Sequence, residues 1–208
     1  MRAAGVVLAG GRSRRMGTDK ALLELDGVAS IVRVVAALAH LGTVVVVAAA
    51  AQPLPPLAAT IVRDELPDTG PLHGLALGLR AATAVGADVA VVCATDLPLL
   101  RPCVVDALLD RLGGHDVLLP VVDGHEQPLS AVYRTRLASA AEQLVAAGER
   151  RLRAVLTGAD VRRLDGAELA GDAAVRADDP HLCSFRSANT PQEWAVLTGL
   201  AAGRREIS

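Results

Sequence analysis

Short, continuous runs of apolar residues rich in valine recur along the chain. The five clearest runs are Ala3–Ala9, Thr43–Ala49, Ala59–Arg63, Asp88–Ala94 and Asp116–Val122. Apolar runs of this length, without polar alternation, are typical of strands that are buried on both faces of a sheet. We therefore predict a strand at each run.

Longer stretches with helical spacing of apolar residues separate these runs. They predict helices at Ser30–Leu41, Leu72–Val85 and Pro102–Leu112. Strands that alternate with helices indicate a mostly parallel sheet covered by helices on both faces. We expect a three-layer, doubly wound α/β fold of the Rossmann-like type, with residues 1–208 forming one domain.

The pattern changes after Gly124. Glu126–Arg134 predicts one more strand and Thr135–Ala147 a helix, and the mixed, polar residues that follow are interpreted as a cover over one end of the sheet. Near the C-terminus, Thr190 as N-cap, Pro191 at the first helical position and Glu193 in a capping box predict a last helix that runs to about Ala202.

Composition excludes several classes of function. A net charge of -2 and 1% aromatic residues leave little to bind a phosphate backbone or stack on bases, so we do not expect nucleic-acid binding. The apolar runs are shorter than the roughly 20 residues of a membrane span, and the N-terminus lacks a leader pattern, so we expect a soluble, cytoplasmic protein. Cys93, Cys103 and Cys183 have no metal-binding spacing and are expected to be reduced, structural thiols.

The segment after the first strand, LAGGRSRRMGTDK (Leu8–Lys20), is the first candidate site. In open α/β sheets ligands bind beyond the carboxyl ends of the strands. Gly10 and Gly11 allow the backbone to approach phosphate oxygens closely, and the basic residues, among them Arg15, favour a polyanion such as a triphosphate. Neither GxxxxGK[ST] nor GxGxxG is present, which argues against P-loop kinases and dinucleotide-binding proteins. A solvated glycine turn with surface arginines is the alternative.

Lys20 is the only lysine in the chain, whereas the other twenty basic residues are arginine. A compact ammonium delivers a point charge where a planar guanidinium needs more room, so the two are not equivalent in a tight phosphate site. We predict a catalytic charge at Lys20; a chance position is the alternative.

Polar residues at the ends of three other predicted elements are further candidates. Asp96 follows the run that ends at Ala94 and is placed to hold Mg²⁺, although it also suits a cap of the turn before Pro98. If the ligand is a purine nucleotide, the Asp64 carboxylate could accept hydrogen bonds from the N1–H and N2–H₂ donors of guanine, and Gly70 and Gly74 would let the backbone close over base or ribose; a polar loop without a ligand is the alternative. Asn189 precedes the last helix and on its own is better explained by the turn.

These segments together, LAGGRSRRMGTDK, RDELPDTGPLHG, CATDLP and FRSANTPQE, resemble the molybdenum cofactor guanylyltransferases of the MobA type, within the wider nucleotidyltransferase group. The resemblance covers essentially the whole chain. It implies that GTP and the phosphate of molybdopterin combine to give a guanine dinucleotide and pyrophosphate, with Mg²⁺ as cofactor.

The resemblance also implies roles for residues that match the motifs. Expected to contact GTP are Leu8, Ala9, Gly10, Gly11, Lys20, Asp64, Gly74 and Asp96. Lys20, Arg15 and Asp96 are the expected catalytic residues, Asp96 is the expected Mg²⁺ ligand, and Asn189 is expected to face molybdopterin.

Three positions depart from the family pattern. Where an asparagine is common after the second strand, this chain continues AAAAQP, so one base contact is missing and Gln52–Pro56 is interpreted as a loop. Ser187 stands where an asparagine is common, and VAS after Gly27 replaces a basic-proline pair.

Other functions remain open from the sequence. A cytidylyltransferase is the nearest, but its first motif tends to be LAAG, and Gly10 and Asp64 favour guanine. A nucleotide-binding regulator that has lost turnover would not need Lys20 and Asp96. A sugar-nucleotide synthase would be expected to carry longer sugar-binding insertions.

Overall fold

The fold is that of a computed structural model, and the description is of residues 1–10, 19–66, 69–188 and 190–205. The strands are β1 (Ala3–Leu8), β2 (Glu24–Leu25), β3 (Val28–Ala29), β4 (Val44–Ala49), β5 (Thr60–Asp64), β6 (Val89–Ala94), β7 (Val117–Val122), β8 (His125–Glu126), β9 (Ser130–Arg134) and β10 (Val161–Asp165).

The α-helices are α1 (Ser30–Leu38), α2 (Pro71–Ala84), α3 (Pro102–Arg111), α4 (Ala138–Ala146), α5 (Ala154–Thr157), α6 (Gly166–Ala170), α7 (Ala173–Asp178) and α8 (Pro191–Arg205). Short 3-10 helices lie at Lys20–Leu22, Ala39–Leu41, Thr135–Leu137 and Cys183–Phe185.

The main sheet has the strand order β10-β7-β9-β6-β1-β4-β5, with β8 paired to β7. β1 lies parallel to both β4 and β6, β4 is parallel to β5, and β7 is parallel to β10. β9 is antiparallel and separates β6 from β7. The predicted mostly parallel α/β fold is therefore confirmed.

The sheet is buried on both faces because alternate residues of each strand point to opposite helical layers. On β1, Val7 belongs to the apolar core that includes α1 and α3, whereas Val6 and Leu8 belong to the core that includes α2 and α4. This arrangement explains the absence of polar alternation in the central strands. Gly78 brings α2 close to β1, since a Cβ at that position would lie 2.4 Å from Val6 Cγ1.

The predicted helices form with small changes at their ends. The predicted helix Ser30–Leu41 consists of α1 and a 3-10 turn, and Thr135–Ala147 begins with a 3-10 turn before α4. The predicted last helix extends to Arg205, and the Glu193 N–H donates to the Thr190 hydroxyl at 3.2 Å, as expected for an N-cap.

The interpretation of the region after Ala147 as a cover is wrong for residues 161–165. They form β10, which extends the main sheet next to β7. Among the described residues β10 pairs only with β7, so it is an edge strand that tolerates Arg162 and Arg163, and this polarity hid the strand in the sequence.

The three cysteines are free thiols, and Cys93 is buried on β6. Burial raises the pKa of the Cys93 thiol to about 12, so it stays protonated at neutral pH. Within the described ranges, no helix is both long enough and apolar enough to cross a membrane.

Candidate active site

The carboxyl ends of β1, β4, β5 and β6 meet at one edge of the sheet because these strands are parallel. The chain runs outward from β1 to β4 and β5 and then returns to β6 on the other side of β1. This reversal of strand order opens a crevice between β1 and β6, the place where doubly wound sheets bind ligands. The candidate residues lie along this edge.

Lys20 and Asp96 meet at this crevice. Lys20 Nζ lies 2.9 Å from Asp96 Oδ2, although the residues are 76 positions apart in the chain. Their side chains are 19% and 20% exposed, so the pair is largely shielded from water yet open to a ligand. Two of the residues predicted to act in catalysis therefore form one ion pair.

Local structure fixes both partners of this pair. Lys20 opens a 3-10 helix whose N-cap is Asp19, and the Asp19 carboxylate accepts a hydrogen bond from the Ala21 N–H at 3.0 Å. Asp96 follows β6, where the Ser30 hydroxyl at the start of α1 donates to the carbonyl of buried Thr95. The Arg33 guanidinium donates to the Pro98 carbonyl at 3.0 Å and holds the turn from the other side.

The turn-capping alternative for Asp96 is not what the structure shows. Among the described residues, the Asp96 carboxylate accepts a hydrogen bond only from Lys20, and the turn is closed by the Leu100 N–H donating to the Leu97 carbonyl at 3.1 Å. Asp96 is thus oriented towards the crevice rather than towards its own turn.

Asp64 ends β5 and is held by two donors. Its Oδ1 accepts from the Leu66 N–H at 3.0 Å and lies 3.1 Å from His73 Nδ1 on α2. His73 Nδ1 also lies 3.1 Å from the Thr69 hydroxyl, which donates to the Leu66 carbonyl. Since these neighbours offer acceptors to the ring, the hydrogen-bond network assigns the proton to Nδ1.

The strand order sets the distance between Asp64 and Asp96. β5 and β6 are three strand spacings apart, which corresponds to roughly 14 Å. The carboxyl end of β1, with Leu8, Ala9 and Gly10, lies between them. An elongated ligand with a hydrogen-bonding group at one end and anionic groups at the other would span this edge.

The three residues expected to contact a ligand through the backbone are not equivalent. Leu8 and Ala9 are buried, and the Ala9 N–H donates to the Val47 carbonyl at 2.8 Å. Gly10 is exposed, and its N–H makes a longer bond of 3.3 Å to the same carbonyl. Of the three, Gly10 is therefore the residue whose backbone is most accessible to a ligand.

Gly74 lies in the first turns of α2 and faces Leu8. A Cβ at Gly74 would be 3.7 Å from Leu8 Cδ2, an ordinary contact distance. Packing within the protein does not require glycine there. Gly11, Arg15 and Asn189 lie outside the described residues.

Two residues of the site were missed in the sequence. Gln52, interpreted as part of a loop, donates to the Ala9 carbonyl and to the Asp19 carboxylate, and Asp19 itself was not singled out. Gln52 is the first polar residue after β4, so the rule of inspecting residues beyond each strand end would have identified it.

The residues at the crevice fit a magnesium ion. Mg²⁺ in proteins is commonly held by one or two carboxylates together with substrate phosphates and water. Asp96 supplies one partly exposed carboxylate at the strand end, and among the described residues its Oδ1 has no hydrogen-bond donor. In the part of the chain that the structure describes, no group of three or more His, Cys, Asp or Glu side chains is arranged so that it could hold a metal ion by itself.

Comparison with known proteins identifies the family to which the chain belongs. Residues 5–165 match the MobA-like NTP transferase domain. A "Probable molybdenum cofactor guanylyltransferase" from Mycobacterium marinum is 47% identical over 176 residues, which cover 80% of this chain and 87% of that protein.

Two solved structures share the fold. The molybdopterin-guanine dinucleotide biosynthesis protein A from Archaeoglobus fulgidus has a TM-score of 0.77 at 24% identity and covers 96% of this chain and 99% of its own. The 2-C-methyl-D-erythritol 4-phosphate cytidylyltransferase from Thermus thermophilus has a TM-score of 0.70 at 18% identity. The match covers 97% of this chain and 100% of the Thermus protein. The match over residues 5–165 and the identity to the mycobacterial relative place this chain in the MobA-like NTP transferase family, and the protein is a nucleotidyltransferase.

Proposed function

We propose that this enzyme transfers GMP from GTP to the phosphate of molybdopterin, giving the guanine dinucleotide form of the cofactor and pyrophosphate. The ion pair between Lys20 and Asp96 in the β1–β6 crevice is the observation that carries the proposal, because it puts a cation beside a carboxylate where a triphosphate would bind. The name of the mycobacterial relative, a probable molybdenum cofactor guanylyltransferase, supports guanylyl transfer in the making of the molybdenum cofactor.

The transfer requires an oxygen of the acceptor phosphate to attack the α-phosphorus of GTP. A new P–O bond forms at the α-phosphorus, the bond to the β-phosphate oxygen breaks, and pyrophosphate leaves with the electron pair. Catalysis of such a step consists of positioning and of stabilising negative charge as it develops. Lys20 supplies that positive charge, and Arg15 is proposed to add a second cation.

Asp96 is the residue that would hold Mg²⁺. When bound, the ion would neutralise charge on the phosphate oxygens of the nucleotide. Because Lys20 is already 2.9 Å from Asp96, the carboxylate orients the ammonium at the same time. Asn189 is proposed to face the acceptor.

Asp64 is proposed to select guanine. A carboxylate accepts hydrogen bonds from the adjacent N1–H and N2–H₂ groups of guanine, a donor pair that adenine and cytosine do not present in this form. His73 and the Leu66 N–H both engage Oδ1, so Oδ2 is the oxygen with fewer contacts among the described residues. His73 therefore fixes the direction in which the carboxylate is presented.

The test is pyrophosphate release with molybdopterin and Mg²⁺, comparing GTP, CTP and ATP for the wild type and for Asp64→Ala. We expect release with GTP, and a loss of discrimination of roughly 5- to 150-fold in Asp64→Ala, corresponding to about 1–3 kcal/mol per pair of base contacts. Asp106→Ala on α3 is the control, since that carboxylate is half-exposed and pairs only with His40 among the described residues. Turnover of CTP in preference to GTP would contradict guanylyl transfer.

A further inference from the structure

Gln52 connects three segments at the edge of the sheet. Its Nε2 donates to the Ala9 carbonyl at 3.0 Å and to Asp19 Oδ2 at 2.6 Å, and its Oε1 accepts from the Ala49 N–H at 3.2 Å. These contacts join the end of β1, the end of β4 and the N-cap of the 3-10 helix that carries Lys20.

The partners determine which way the Gln52 amide points. Ala9 O and the Asp19 carboxylate can only accept, whereas the Ala49 N–H can only donate. One orientation of the amide satisfies all three groups, and the flipped orientation would satisfy none of them. Both amide hydrogens are used, so neither a carboxylate nor an apolar side chain can replace the glutamine.

The backbone around Gln52 is also held in place. The Arg63 guanidinium donates to the Gln52 carbonyl at 2.8 Å and to the Ala49 carbonyl at 3.1 Å. The Gln52 N–H donates to Ala49 O at 3.1 Å and closes the turn after β4. Gln52 thus approaches Asp19 from a fixed turn rather than from a mobile loop.

Asp19 transmits this constraint to Lys20. One carboxylate oxygen of Asp19 accepts from Gln52, while the other accepts from the Ala21 N–H and caps the 3-10 helix in which Lys20 is the first residue. Moving the Asp19 side chain would therefore move the helix start and the direction of the Lys20 stem. A displacement of about 1 Å at a catalytic group is enough to cost up to about 10²-fold in rate.

We propose that Gln52 is a positioning residue for phosphoryl transfer: through Asp19 it sets the start of the 3-10 helix and so directs the Lys20 ammonium to Asp96 and the nucleotide phosphates. The catalytic consequence rests on the proposed function. The structural part, that Gln52 controls the surroundings of Lys20, does not depend on the substrate.

The chain itself offers a direct probe of that structural part. Lys20 is the only lysine, so lysine labelled with ¹³C at Cε gives one side-chain resonance that reports on this position alone. We expect Gln52→Glu to shift this resonance, because the new carboxylate would oppose both Asp19 and the Ala9 carbonyl. Gln143→Glu, on the exposed face of α4, is the matched control and should leave the resonance in place.

The activity test separates positioning from general loss of structure. Gln52→Glu should lower kcat by about tenfold, with the KM for GTP changed less than kcat and with unfolding still cooperative. In a Lys20→Ala background the same change should have no further effect on kcat, since Gln52 acts through Lys20. The pair Asp19→Asn with Gln52→Glu reverses donor and acceptor and should recover part of kcat.

The two readouts distinguish the possible failures. If the Lys20 resonance of Gln52→Glu coincides with that of the wild type, the positioning role is refuted whatever the substrate proves to be. If Gln52→Glu lowers kcat equally with and without Lys20, the residue acts independently of it and the proposal is also refuted. If the wild type releases no pyrophosphate from GTP but the resonance shifts, guanylyl transfer fails while the positioning of Lys20 stands.

Discussion

At the scale of single residues, the one lysine among twenty arginines forms an ion pair with Asp96. The ammonium reaches Asp96 from a helix start that Asp19 caps, in a crevice where both side chains are about one-fifth exposed. A guanidinium at this position would carry its charge on a wider planar fork and would engage the carboxylate through two nitrogens. On the proposed function, a point charge at this position would contact Asp96 and a phosphate oxygen together.

This argument predicts different outcomes for two substitutions of Lys20. Lys20→Ala should lower the rate of nucleotidyl transfer on the order of 10²- to 10³-fold, the cost typical of a lost group that stabilises developing charge. Lys20→Arg should recover little of this loss, although it keeps the positive charge. Single-turnover kinetics under saturating GTP measure the chemical step directly.

Both variants need a measurement of folding beside the kinetics. Lys20→Ala leaves Asp96 without its described partner, but Asp96 is partly exposed, so the free energy of unfolding should change little. Full activity of Lys20→Arg would show that any positive charge suffices at this position, and the compact shape of the ammonium would then not explain the lone lysine.

At the scale of elements, α2 carries two glycines with different surroundings. At Gly78 a Cβ would lie 2.4 Å from Val6 Cγ1, so the helix and β1 can approach only without a side chain there. At Gly74 a Cβ would be 3.7 Å from Leu8 Cδ2, and the protein has room for it. One glycine thus serves packing, and the other is available to a ligand.

Alanine at each position separates these roles. Gly78→Ala should lower the free energy of unfolding by about 1–3 kcal/mol, the usual cost of overpacking a core. Gly74→Ala should leave it unchanged or slightly higher, since alanine favours the helix, while it weakens nucleotide binding. Denaturant unfolding and calorimetry with GTP measure the two effects; unchanged affinity in Gly74→Ala would exclude a close approach of nucleotide to this turn.

Strands buried on both faces were predictable from the sequence, whereas very short strands and the polar edge strand were not. β1, β4, β6 and β7 are continuous apolar runs because helices cover both sides of the sheet. The short β2–β3 hairpin has two residues in each strand, and β10 is a polar edge, so neither produces a recognisable pattern. Hydrophobic periodicity reports burial, and it fails where a strand is short or half-exposed.

The candidate site shows the same limit for a different reason. Asp96 and Lys20 were identifiable because their residue types and their places after strands suggested chemistry. The partnership of Gln52 with Asp19 depends on how two loops fold over the sheet edge, which local sequence does not encode. The pairing of His73 with Asp64 likewise requires α2 to begin beside the end of β5.

At the scale of the whole molecule, two carboxylates join elements that are distant in the later part of the chain: one links α7 to α3, and the other links the start of β7 to the start of β10. Asp172 caps α7 and pairs with Arg111 of α3 at 2.9 Å, and the Asp116 carboxylate accepts from the Asp160 N–H at 3.1 Å. The hydrogen bond from the Arg111 guanidinium lowers the pKa of Asp172 below its ordinary value, and the N–H groups at the start of α7 lower it further. The hydrogen bond from the Asp160 N–H lowers the pKa of Asp116 in the same way. Both groups favour the ionised form in the folded protein.

The direction of these pKa shifts predicts that the free energy of unfolding decreases at acidic pH. A carboxyl whose pKa is lower when folded stabilises the fold above its unfolded pKa of about 4, and this stabilisation is lost as the pH falls towards the folded pKa. Asp172→Asn keeps an N-cap side chain but removes the charge next to Arg111. At pH 7 it should lower the Tm by about 2–4 °C, the shift that about 1 kcal/mol produces in a domain of this size.

The difference between Asp172→Asn and the wild type should shrink as the pH is lowered from 7 to 3, because protonation removes the same charge from the wild type. Thermal unfolding measured across this range tests the expectation, with Asp110→Asn on the exposed face of α3 as the control for net charge. A difference in Tm that stays constant down to pH 3 would mean that the lower stability of Asp172→Asn does not come from the lost charge. The contact between α3 and α7 would then owe nothing to the charge of Arg111.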